Sequence, residues 1–449
     1  MKITLIKPNI GQKGHSLYVD EGRMEPLQLG VLAGMTPNDA EVVLYDDRME
    51  SIPFDEPTDL VAITIETYTA RRAYEISAEY RKRGVPVIMG GMHATLIPDE
   101  VIQHTDSLYI GDAEFKWREA LEDAEKGELK PIYQSPAGIP QPGIQPRRDI
   151  YKGKGYLPIS LMQFGRGCNF QCEYCAISVY FDKTHYYRHI DEVLAEIDVQ
   201  DRKYIFFVDD NIIANVDAAK IFFKELIQMN VRWVSQASIN ITRDLELMRL
   251  MTESGCLGNV IGFESLNQQN LLEMKKTVNI GSDFQDFRPQ IEIIKDFGLQ
   301  TWAAFTLGHD NDTIETIEQT VDFATENKFA FAAYNILMPY PNTPLYRRLE
   351  AEGRLLYNGK WWLHPQYQFN HAAFIPSKMS PNELTDATFK ARSKFNSIRS
   401  IVSRAFDFKA NMRSLFRLAV YIAYTPLYRK ETFKKQDMSF GYHQPKETA

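Results

Sequence analysis

Residues 165–175 read GRGCNFQCEYC, and the rest of the chain is best interpreted outward from this stretch. It holds three of the four cysteines, Cys168, Cys172 and Cys175, in a C-x3-C-x2-C spacing. A short loop that brings three thiolates together can bind three irons of a [4Fe-4S] cluster and leaves the fourth iron without a protein ligand. Electron-transfer clusters usually have four cysteine ligands, so this spacing predicts that a small molecule completes the coordination.

Two other interpretations of the three thiols are a zinc site and three buried cysteines. Zinc would need a fourth Cys or His ligand. The remaining cysteine, Cys256, stands alone in the sequence SGCL and is predicted to be a core thiol. The cluster interpretation is favoured because residues 159–164 (ISLMQF) predict a strand that ends at the loop.

Length and composition predict a globular protein of two or three domains. The chain has 449 residues, of which 44% are hydrophobic and 24% charged, and its net charge of -8 argues against general nucleic-acid binding. Four cysteines, three of them clustered, do not form a disulfide framework. The opening MKITLI predicts a strand rather than a signal peptide, so we expect the reducing cytoplasm. No apolar run reaches the roughly 18–20 residues that span a bilayer.

Residues 1–130 alternate between strand and helix patterns, which predicts a parallel sheet with helices on both faces. The predicted strands are Lys2–Lys7, Glu41–Tyr45, Leu60–Thr64, Val85–Met89 and Ser107–Ile110. Such sheets bind ligands beyond the carboxyl ends of their strands, where this chain places polar residues and the glycine pair Gly90 and Gly91. This pattern indicates a nucleotide-like ligand.

Residues 131–155 are rich in proline, glycine and polar residues and are predicted to be a linker. From 156 to 350 strands and helices alternate again. Counting the strand before the cysteines, there are six β/α units, enough for a partial barrel. Polar residues follow these strands, at the positions where such folds place catalytic groups. Residues 351–449 are predicted to form a mainly helical, basic C-terminal region.

The cysteine motif closely resembles that of radical S-adenosylmethionine (SAM) enzymes, in which SAM binds the open iron. The resemblance implies a partial (β/α)6 barrel and contacts to SAM from strand ends. Tyr174 matches an aromatic near the adenine, and Asp209, Asp210 and Asn211 match an acidic segment near the cofactor. The remaining matches are Gln236, Ser238 and Glu264.

Other roles are open for some of these residues. Asp209 and Asp210 would also be suited to capping the helix predicted from Ile212. His309 and Asp310 follow another strand, but a histidine in a loop is more often solvated than catalytic.

The first region resembles the cobalamin-binding Rossmann-like domain that precedes the cluster domain in cobalamin-dependent radical SAM proteins. The sequences GGMHAT (residues 90–95) and GDAE (residues 111–114, usually GEAE in the family) carry this resemblance. It implies cobalamin contacts from these residues of the strand-end loops: Pro8, Asn9, Leu27, Thr64, Glu66, Gly90, Gly91, His93, Thr95, Gly111 and Glu114. The D-x-H-x-x-G signature of other cobalamin proteins is absent. For His93, a contact to the corrin and a hydrogen bond that orients the loop are both open.

The C-terminal region has a charge opposite to that of the whole chain. Residues 390–435 carry twelve Lys and Arg against Asp407 and Glu431, and include the apolar run LFRLAVYIAY at 415–424. Three interpretations compete: a helical subdomain on the barrel mouth with solvated cations, a surface for anionic lipid, and a pocket for an anionic substrate. The family resemblance covers about residues 1–350 and does not extend to this region.

The resemblance implies cleavage of SAM to a 5′-deoxyadenosyl radical and, with cobalamin, methylation of an unactivated carbon. A radical oxidative cyclase or a C–C coupling enzyme is the alternative within this fold. A non-catalytic cobalamin or iron-sulfur sensor is the alternative of another class. We expect a small-molecule or lipid-like substrate, a flavodoxin- or ferredoxin-type reductant, no nucleic acid, and possible peripheral membrane contact through the C-terminal region.

Overall fold

The computed structural model describes residues 1–13, 16–17, 22–200 and 202–442. The strands are β1 (Lys2–Lys7), β2 (Gly11–Lys13), β3 (Ser16–Leu17), β4 (Glu41–Asp46), β5 (Leu60–Thr64), β6 (Val87–Gly90), β7 (Ser107–Ile110), β8 (Ile132–Gln134), β9 (Ser160–Met162), β10 (Gly165–Gly167), β11 (His185–Tyr187), β12 (Tyr204–Phe207), β13 (Arg232–Ala237), β14 (Cys256–Glu264), β15 (Gln300–Leu307), β16 (Phe331–Ile336) and β17 (Ser439–Phe440).

The α-helices connect and cover these strands. They are α1 (Leu27–Met35), α2 (Ala70–Lys82), α3 (Met92–Leu96), α4 (Pro98–Val101), α5 (Trp117–Glu125), α6 (Ala176–Tyr180), α7 (Ile190–Asp198), α8 (Val216–Leu226), α9 (Leu245–Glu253), α10 (Gln268–Glu273), α11 (Arg288–Asp296), α12 (Ile314–Glu326), α13 (Pro344–Ala351), α14 (Pro381–Phe395), α15 (Ile398–Ala405) and α16 (Leu415–Lys435). In the described part of the chain, no helix is both long enough and apolar enough to cross a bilayer.

Residue contacts divide the chain into two compact units. Unit 1 comprises residues 1–157, 357–369 and 435–449, and unit 2 comprises residues 158–356 and 370–434. The division differs from the predicted one, because residues 131–155 join the first domain and residues 351–449 are shared between both units. Burial explains this sharing: Trp361 and Trp362 are almost fully buried, and Trp361 lies against Tyr68 of unit 1, with 5.2 Å between ring centroids.

Unit 1 contains a six-stranded parallel sheet in the order β4-β1-β5-β6-β7-β8. Five strands were predicted for this sheet, and four of them match closely. The remaining one, predicted to start at Val85, starts at Val87 as β6. Strand β8 lies within the predicted linker. It was not predicted because the prolines on both sides of it indicated a linker. Its Tyr133 is buried and stacks on Tyr109 of β7, with 6.3 Å between ring centroids. A second, antiparallel sheet joins β17, β2 and β3.

Unit 2 contains a parallel sheet in the sequential order β9-β12-β13-β14-β15-β16. This is the order that the six β/α units predict. Apolar residues from the strands of this sheet and from the helices that cover it form a large core, which includes Phe207, Phe222 and Trp233. Because parallel strands all end at one edge, the loops after β9, β12, β13, β14 and β15 lie at the same edge of this sheet.

The basic C-terminal region buries two of its arginines against the sheet of unit 2. One of the three interpretations placed a helical subdomain on the barrel mouth with solvated cations. In the structure Arg404 is 1% exposed and donates hydrogen bonds to the carbonyls of Phe329 (2.9 Å) and Ala330 (2.7 Å), just before β16. Arg417 donates to the carbonyls of Cys256 (3.2 Å) and Leu257, at the start of β14. Helices α15 and α16 therefore lie at the amino ends of these strands, because buried guanidinium groups satisfy carbonyls there.

Candidate active site

The three cysteines lie on one short loop between β10 and α6. Cys172 is buried, and Cys168 and Cys175 are partly exposed. The amide of Cys175 donates to the carbonyl of Cys172 (3.1 Å), which holds the second half of the loop in a turn. Gly167, with φ of +85°, leaves no room for a Cβ against the carbonyl of Thr184. A glycine is therefore required where the loop begins.

Asp209 and Asp210 bind the backbone that leads into this loop. The fully buried Asp209 carboxylate accepts hydrogen bonds from the amides of Phe164 (3.1 Å) and Gly165. Asp210 accepts from the amide of Gly167 (2.8 Å). Burial raises the pKa of Asp209 to about 7, against these backbone hydrogen bonds. Helix capping is not their role, because α8 begins at Val216 and its cap is Asn215, which accepts from the amide of Ala218 (3.1 Å).

Asn211, Gln236 and Ser238 lie together at the ends of β12 and β13. The amide of the Asn211 side chain donates to the Ser238 hydroxyl (3.1 Å), and Gln236 donates to the carbonyl of Asp209 (3.3 Å). Ser238 also donates to the side chain of Asn240 (2.6 Å). The structure therefore brings these predicted residues together, in two hydrogen-bonded pairs that both include residues 209–211.

Glu264 ends β14 with a strained backbone and two partners. Its φ is +64°, a left-handed conformation that is uncommon outside glycine. The carboxylate accepts from the Lys276 ammonium (3.2 Å) and from the Thr306 hydroxyl (3.2 Å). Burial, followed by the neighbouring Glu264 carboxylate, raises the pKa of Tyr174. Two predicted residues, Tyr174 and Glu264, are thus neighbours.

Lys276 is a functional candidate that the sequence did not single out. Its side chain is only 14% exposed. Burial raises the pKa of Cys172 to about 11, and the nearby charge of Lys276 acts in the opposite direction. Burial also raises the pKa of Cys168, and the charge of Lys276 acts against that shift. In the sequence Lys276 follows Lys275 and looks like part of a solvated surface, so no local signal could have identified it.

A second group of charged residues binds the cluster loop at Glu173. Arg348 donates to Glu173, the residue after Cys172 (2.8 Å), and to Asp310 (2.8 Å). The carbonyl of Glu173 accepts from the amide of Leu345 (2.9 Å). Neither Arg348 nor Glu173 was predicted, because an arginine 175 residues away carries no sequence signal for this contact.

His309 is buried. Its position in a loop had instead suggested a solvated side chain. Its Nε2 atom lies 2.9 Å from the Thr306 hydroxyl, and burial lowers its pKa to about 4. Through Thr306, this neutral imidazole is connected to Glu264. Asp310 faces two arginines and a serine, which lower its pKa to about 2 against the effect of burial.

In unit 1, the predicted ligand residues lie at the carboxyl ends of β1, β5, β6 and β7, which are adjacent in the sheet. Asn9 is fully buried, and its backbone amide donates to the Asp47 carboxylate (3.1 Å). The Lys7 ammonium pairs with Glu66 and lowers the pKa of that carboxyl. Leu27 starts α1 and is buried, and Pro8 is also buried. Thr64 and Glu114 are partly exposed.

Contacts within the protein account for the glycine and threonine residues at these loop positions. A Cβ on Gly91, with φ of +109°, would approach the Ile65 carbonyl to 2.9 Å. Gly111, with φ of +83°, leaves no room against the Ser135 carbonyl, and its amide donates to the Thr95 hydroxyl (2.9 Å). A Cβ on Gly90 would lie only 3.2 Å from the Cβ atom of Tyr109. These contacts explain the glycines without a ligand.

His93 is fully buried with protein atoms near both ring nitrogens. Nδ1 lies 3.2 Å from the Thr67 hydroxyl, and Nε2 lies 3.3 Å from Glu100. Glu100 also accepts from the Trp362 indole (2.9 Å). This geometry supports the loop-orienting role, and a corrin contact from His93 stays a prediction.

The arrangement of the three thiols decides which kind of metal centre the cluster loop can hold. Among the described residues, no three His, Cys, Asp or Glu side chains are close enough to share a single metal ion. A [4Fe-4S] cluster does not need that closeness, because each cysteine thiolate binds a different iron. Three thiols on a loop with no fourth ligand, beside the buried cation Lys276, fit a cluster with one open iron.

Comparison with known proteins gives matches over most of the chain. Residues 162–324 match the family model described as the Radical SAM superfamily. Two bacteriochlorophyllide d methyltransferases of Chlorobaculum tepidum, acting at C-12(1) and C-8(2), are 28% identical over 404 residues and 27% identical over 433 residues. The alignments cover 87% of this chain and 86% of the first relative, and 90% and 93% for the second.

A third relative is named for a different reaction. The anaerobic magnesium-protoporphyrin IX monomethyl ester cyclase of Rubrivivax gelatinosus is 22% identical over 454 residues, which cover 90% of this chain and 78% of the cyclase.

The fold is shared with a solved radical SAM methyltransferase. The structure of TsrM from Kitasatospora setae, with cobalamin and a [4Fe-4S] cluster bound, aligns with a TM-score of 0.65 at 15% identity. The alignment covers 87% of this chain and 88% of TsrM, and therefore includes the first parallel sheet as well as the second. Residues 162–324 therefore contain a domain of the Radical SAM superfamily, and a parallel α/β sheet precedes this domain in the chain.

Proposed function

We propose that this protein is a cobalamin-dependent radical SAM methyltransferase that methylates an unactivated carbon. The observation that carries the proposal is the loop of three thiols, fixed by Asp209, Asp210 and Arg348 beside Lys276. The two methyltransferase relatives aligned over their nearly full lengths support methyl transfer as the reaction.

Cys168, Cys172 and Cys175 would hold the [4Fe-4S] cluster. When bound, the cluster supplies the electron that cleaves SAM to methionine and a 5′-deoxyadenosyl radical. Lys276 provides positive charge beside the thiols, and Tyr174, Gln236 and Ser238 present aromatic and polar groups at the same edge of the sheet. These side chains are suited to bind and orient SAM, and the buried surroundings of Glu264 and His309 exclude water from the site.

Cobalamin would bind at the carboxyl ends of β1, β5, β6 and β7, the edge at which parallel α/β sheets bind nucleotide-like ligands. Among the predicted residues with accessible side chains there, Glu66 is exposed, and Thr64, Thr95 and Glu114 are partly exposed. When bound, cobalamin supplies the methyl group that is transferred. A flavodoxin- or ferredoxin-type protein is the proposed reductant.

The second candidate function is an oxidative radical cyclisation, which the cyclase relative supports. Both reactions share the cluster loop and the SAM residues. They differ in whether a methyl group from SAM appears in the product.

The proposal is tested with anaerobically reconstituted protein and methyl-deuterated SAM. We expect about four irons per chain, bound corrinoid after desalting, and 5′-deoxyadenosine under dithionite. Cys172→Ala should lose the cluster and 5′-deoxyadenosine formation, whereas Cys256→Ala, which removes the cysteine outside the loop, should keep both. Retention of 5′-deoxyadenosine formation by Cys172→Ala would contradict the cluster assignment. A cluster without retained corrinoid, together with product that carries no deuterium, would favour cyclisation.

A further inference from the structure

Large apolar side chains are concentrated on one exposed part of unit 2. Of the nineteen large apolar side chains that are exposed among the described residues, seven lie between residues 398 and 422. Leu415 is 86% exposed, Ile398 73% and Phe408 72%. We call these seven residues the apolar patch: Ile398, Val402, Phe406, Phe408, Leu415, Phe416 and Ile422.

The patch includes the outward side of helices α15 and α16, whose inward side carries their buried residues. On α15, Ile398 and Val402 are four residues apart and share the outer face, while Arg404 is buried. On α16, Leu415 and Ile422 are two turns apart on the outer face, while Tyr421 is buried. The apolar residues of this side are therefore exposed because they recur at the spacing of the helix turn, opposite the buried residues.

Hydrogen bonds hold the two helices and their connecting loop next to each other. The Tyr421 hydroxyl donates to the carbonyl of Ile401 on α15 (2.9 Å). The side chain of Asn411 donates to the carbonyl of Arg404 (2.9 Å). The apolar residues of α15, of the loop and of the first half of α16 thus belong to one neighbourhood.

The charge around the patch is positive although the whole chain is acidic. Residues 396–430 contain a single acidic residue, Asp407, and it is buried. The exposed cations of this segment include Arg399, Arg413, Arg429 and Lys430. Lys409 does not add to this positive charge, because it forms ion pairs with Glu292 (2.9 Å) and Asp296 (2.7 Å).

We propose that the apolar patch and its surrounding cations rest on an anionic lipid surface. Apolar side chains flanked by Lys and Arg are the combination that enters the headgroup region of such membranes. A second copy of this chain fits less well, since a symmetric contact would bring the same cations face to face. The charge complementarity therefore selects an anionic surface.

The position of the patch indicates attachment rather than substrate delivery. Helices α15 and α16 bind carbonyls at the amino ends of β14 and β16, whereas the cluster loop lies at the carboxyl ends of the same sheet. Lipid contact would hold the protein at the membrane and leave the carboxyl edge of this sheet away from that surface. The inference does not depend on the reaction that the protein catalyses.

Flotation of the full chain with vesicles tests the proposal. The probes are phosphatidylcholine vesicles with and without about 30% phosphatidylglycerol, a fraction that gives a negative surface potential. We expect co-flotation with the anionic vesicles only, and weaker flotation in high salt. The variant Phe406→Ser/Phe408→Ser/Leu415→Ser should bind at least roughly tenfold more weakly, because apolar burial and charge attraction act together.

A matched control carries Ile221→Ser, Leu245→Ser and Leu272→Ser, which are 57%, 59% and 53% exposed elsewhere in unit 2. It should float like the unmodified chain. Circular dichroism and iron content of both triple variants verify folding. Absence of flotation, equal flotation of the patch variant, or a dimer in sedimentation that only the patch variant loses would each overturn the lipid proposal, the last in favour of a second copy.

Discussion

At the residue scale, the cluster loop depends on a few buried charges whose partners come from distant parts of the chain. Lys276 faces Glu264 and lies near the cysteine thiols. A buried charge that loses its partner is strongly destabilising, since nothing else compensates its desolvation. Lys276 therefore contributes both to the conformation of Glu264 and to the acidity of the thiols.

Replacement of Lys276 by Met should lower cluster loading. Glu264 would lose its cation at a cost of roughly 3 kcal/mol, and the thiols would lose a charge that favours their thiolate form. We expect iron content after reconstitution to fall by at least about half, measured together with the melting temperature. Lys275→Met changes the exposed neighbouring lysine and should leave both unchanged. Equal loading of the two variants would contradict this role.

Glu100 gives unit 1 a defined dependence on pH. Burial alone would raise its pKa, but hydrogen bonds from His93, Trp362 and Lys360 outweigh burial and lower the pKa from 4.5 to about 2. Because the folded pKa is depressed, this stabilisation is complete above about pH 4.5 and is lost as the pH falls towards 2. The shift corresponds to roughly 3 kcal/mol.

We expect the urea midpoint of unit 1, followed by tryptophan fluorescence, to fall between pH 5 and pH 3. Glu100→Gln should be less stable at pH 5 and should show a shallower fall. Identical slopes for the two proteins would show that another group causes the pH dependence.

At the scale of elements, α13 restrains the cluster loop. The helix is capped by Thr343, which accepts from the amide of Tyr346 (3.2 Å). Two bonds join it to Glu173, one from the Leu345 amide and one from Arg348. A short helix far along the chain thus fixes the residue between two cluster cysteines.

Arg348→Met should loosen the loop without unfolding unit 2. Deuterium exchange of peptides covering residues 168–176 should become roughly tenfold faster, as expected when a restraint worth about 1.4 kcal/mol is removed. Arg347→Met alters the exposed neighbour on the same helix and provides the matched control. Unchanged exchange in Arg348→Met would mean that the Leu345 amide suffices.

At the scale of the whole molecule, the last described residues complete unit 1. Strand β17 pairs with β2, and both Met438 and Phe440 are buried. The Arg72 guanidinium lies 3.7 Å from the centroid of the Tyr442 ring. The last described residues therefore stabilise unit 1.

A chain that ends at Lys434 should have a less stable unit 1 and a normal cluster content. Loss of the buried Met438 and Phe440 side chains costs roughly 3–6 kcal/mol. Limited proteolysis should cleave within residues 1–157 first, while iron content stays unchanged. A chain that ends at Tyr442 keeps these contacts and should resist cleavage. Loss of iron in the shorter chain would show that the two units depend on each other for stability.

Local sequence determined much of this protein. The cysteine spacing, the apolar strands and the order of β/α units are set by covalent spacing and by short-range periodicity, so the loop and both parallel sheets could be predicted. The radical SAM domain of residues 162–324 was expected from the resemblance of the cysteine motif. Polar residues after consecutive parallel strands are neighbours by topology, which explains why Asn211, Gln236 and Ser238 were found together.

Only the tertiary structure decided which distant residues meet. Lys276 and Arg348 reach the cluster loop, β8 completes the first sheet, and β17 returns to β2, because burial and hydrogen bonding between remote segments place them there. The same contacts bury Arg404 and Arg417 of the basic C-terminal region and leave its apolar patch exposed. Charge and hydropathy along the sequence give the composition of such a region, but the partner of each side chain depends on long-range packing.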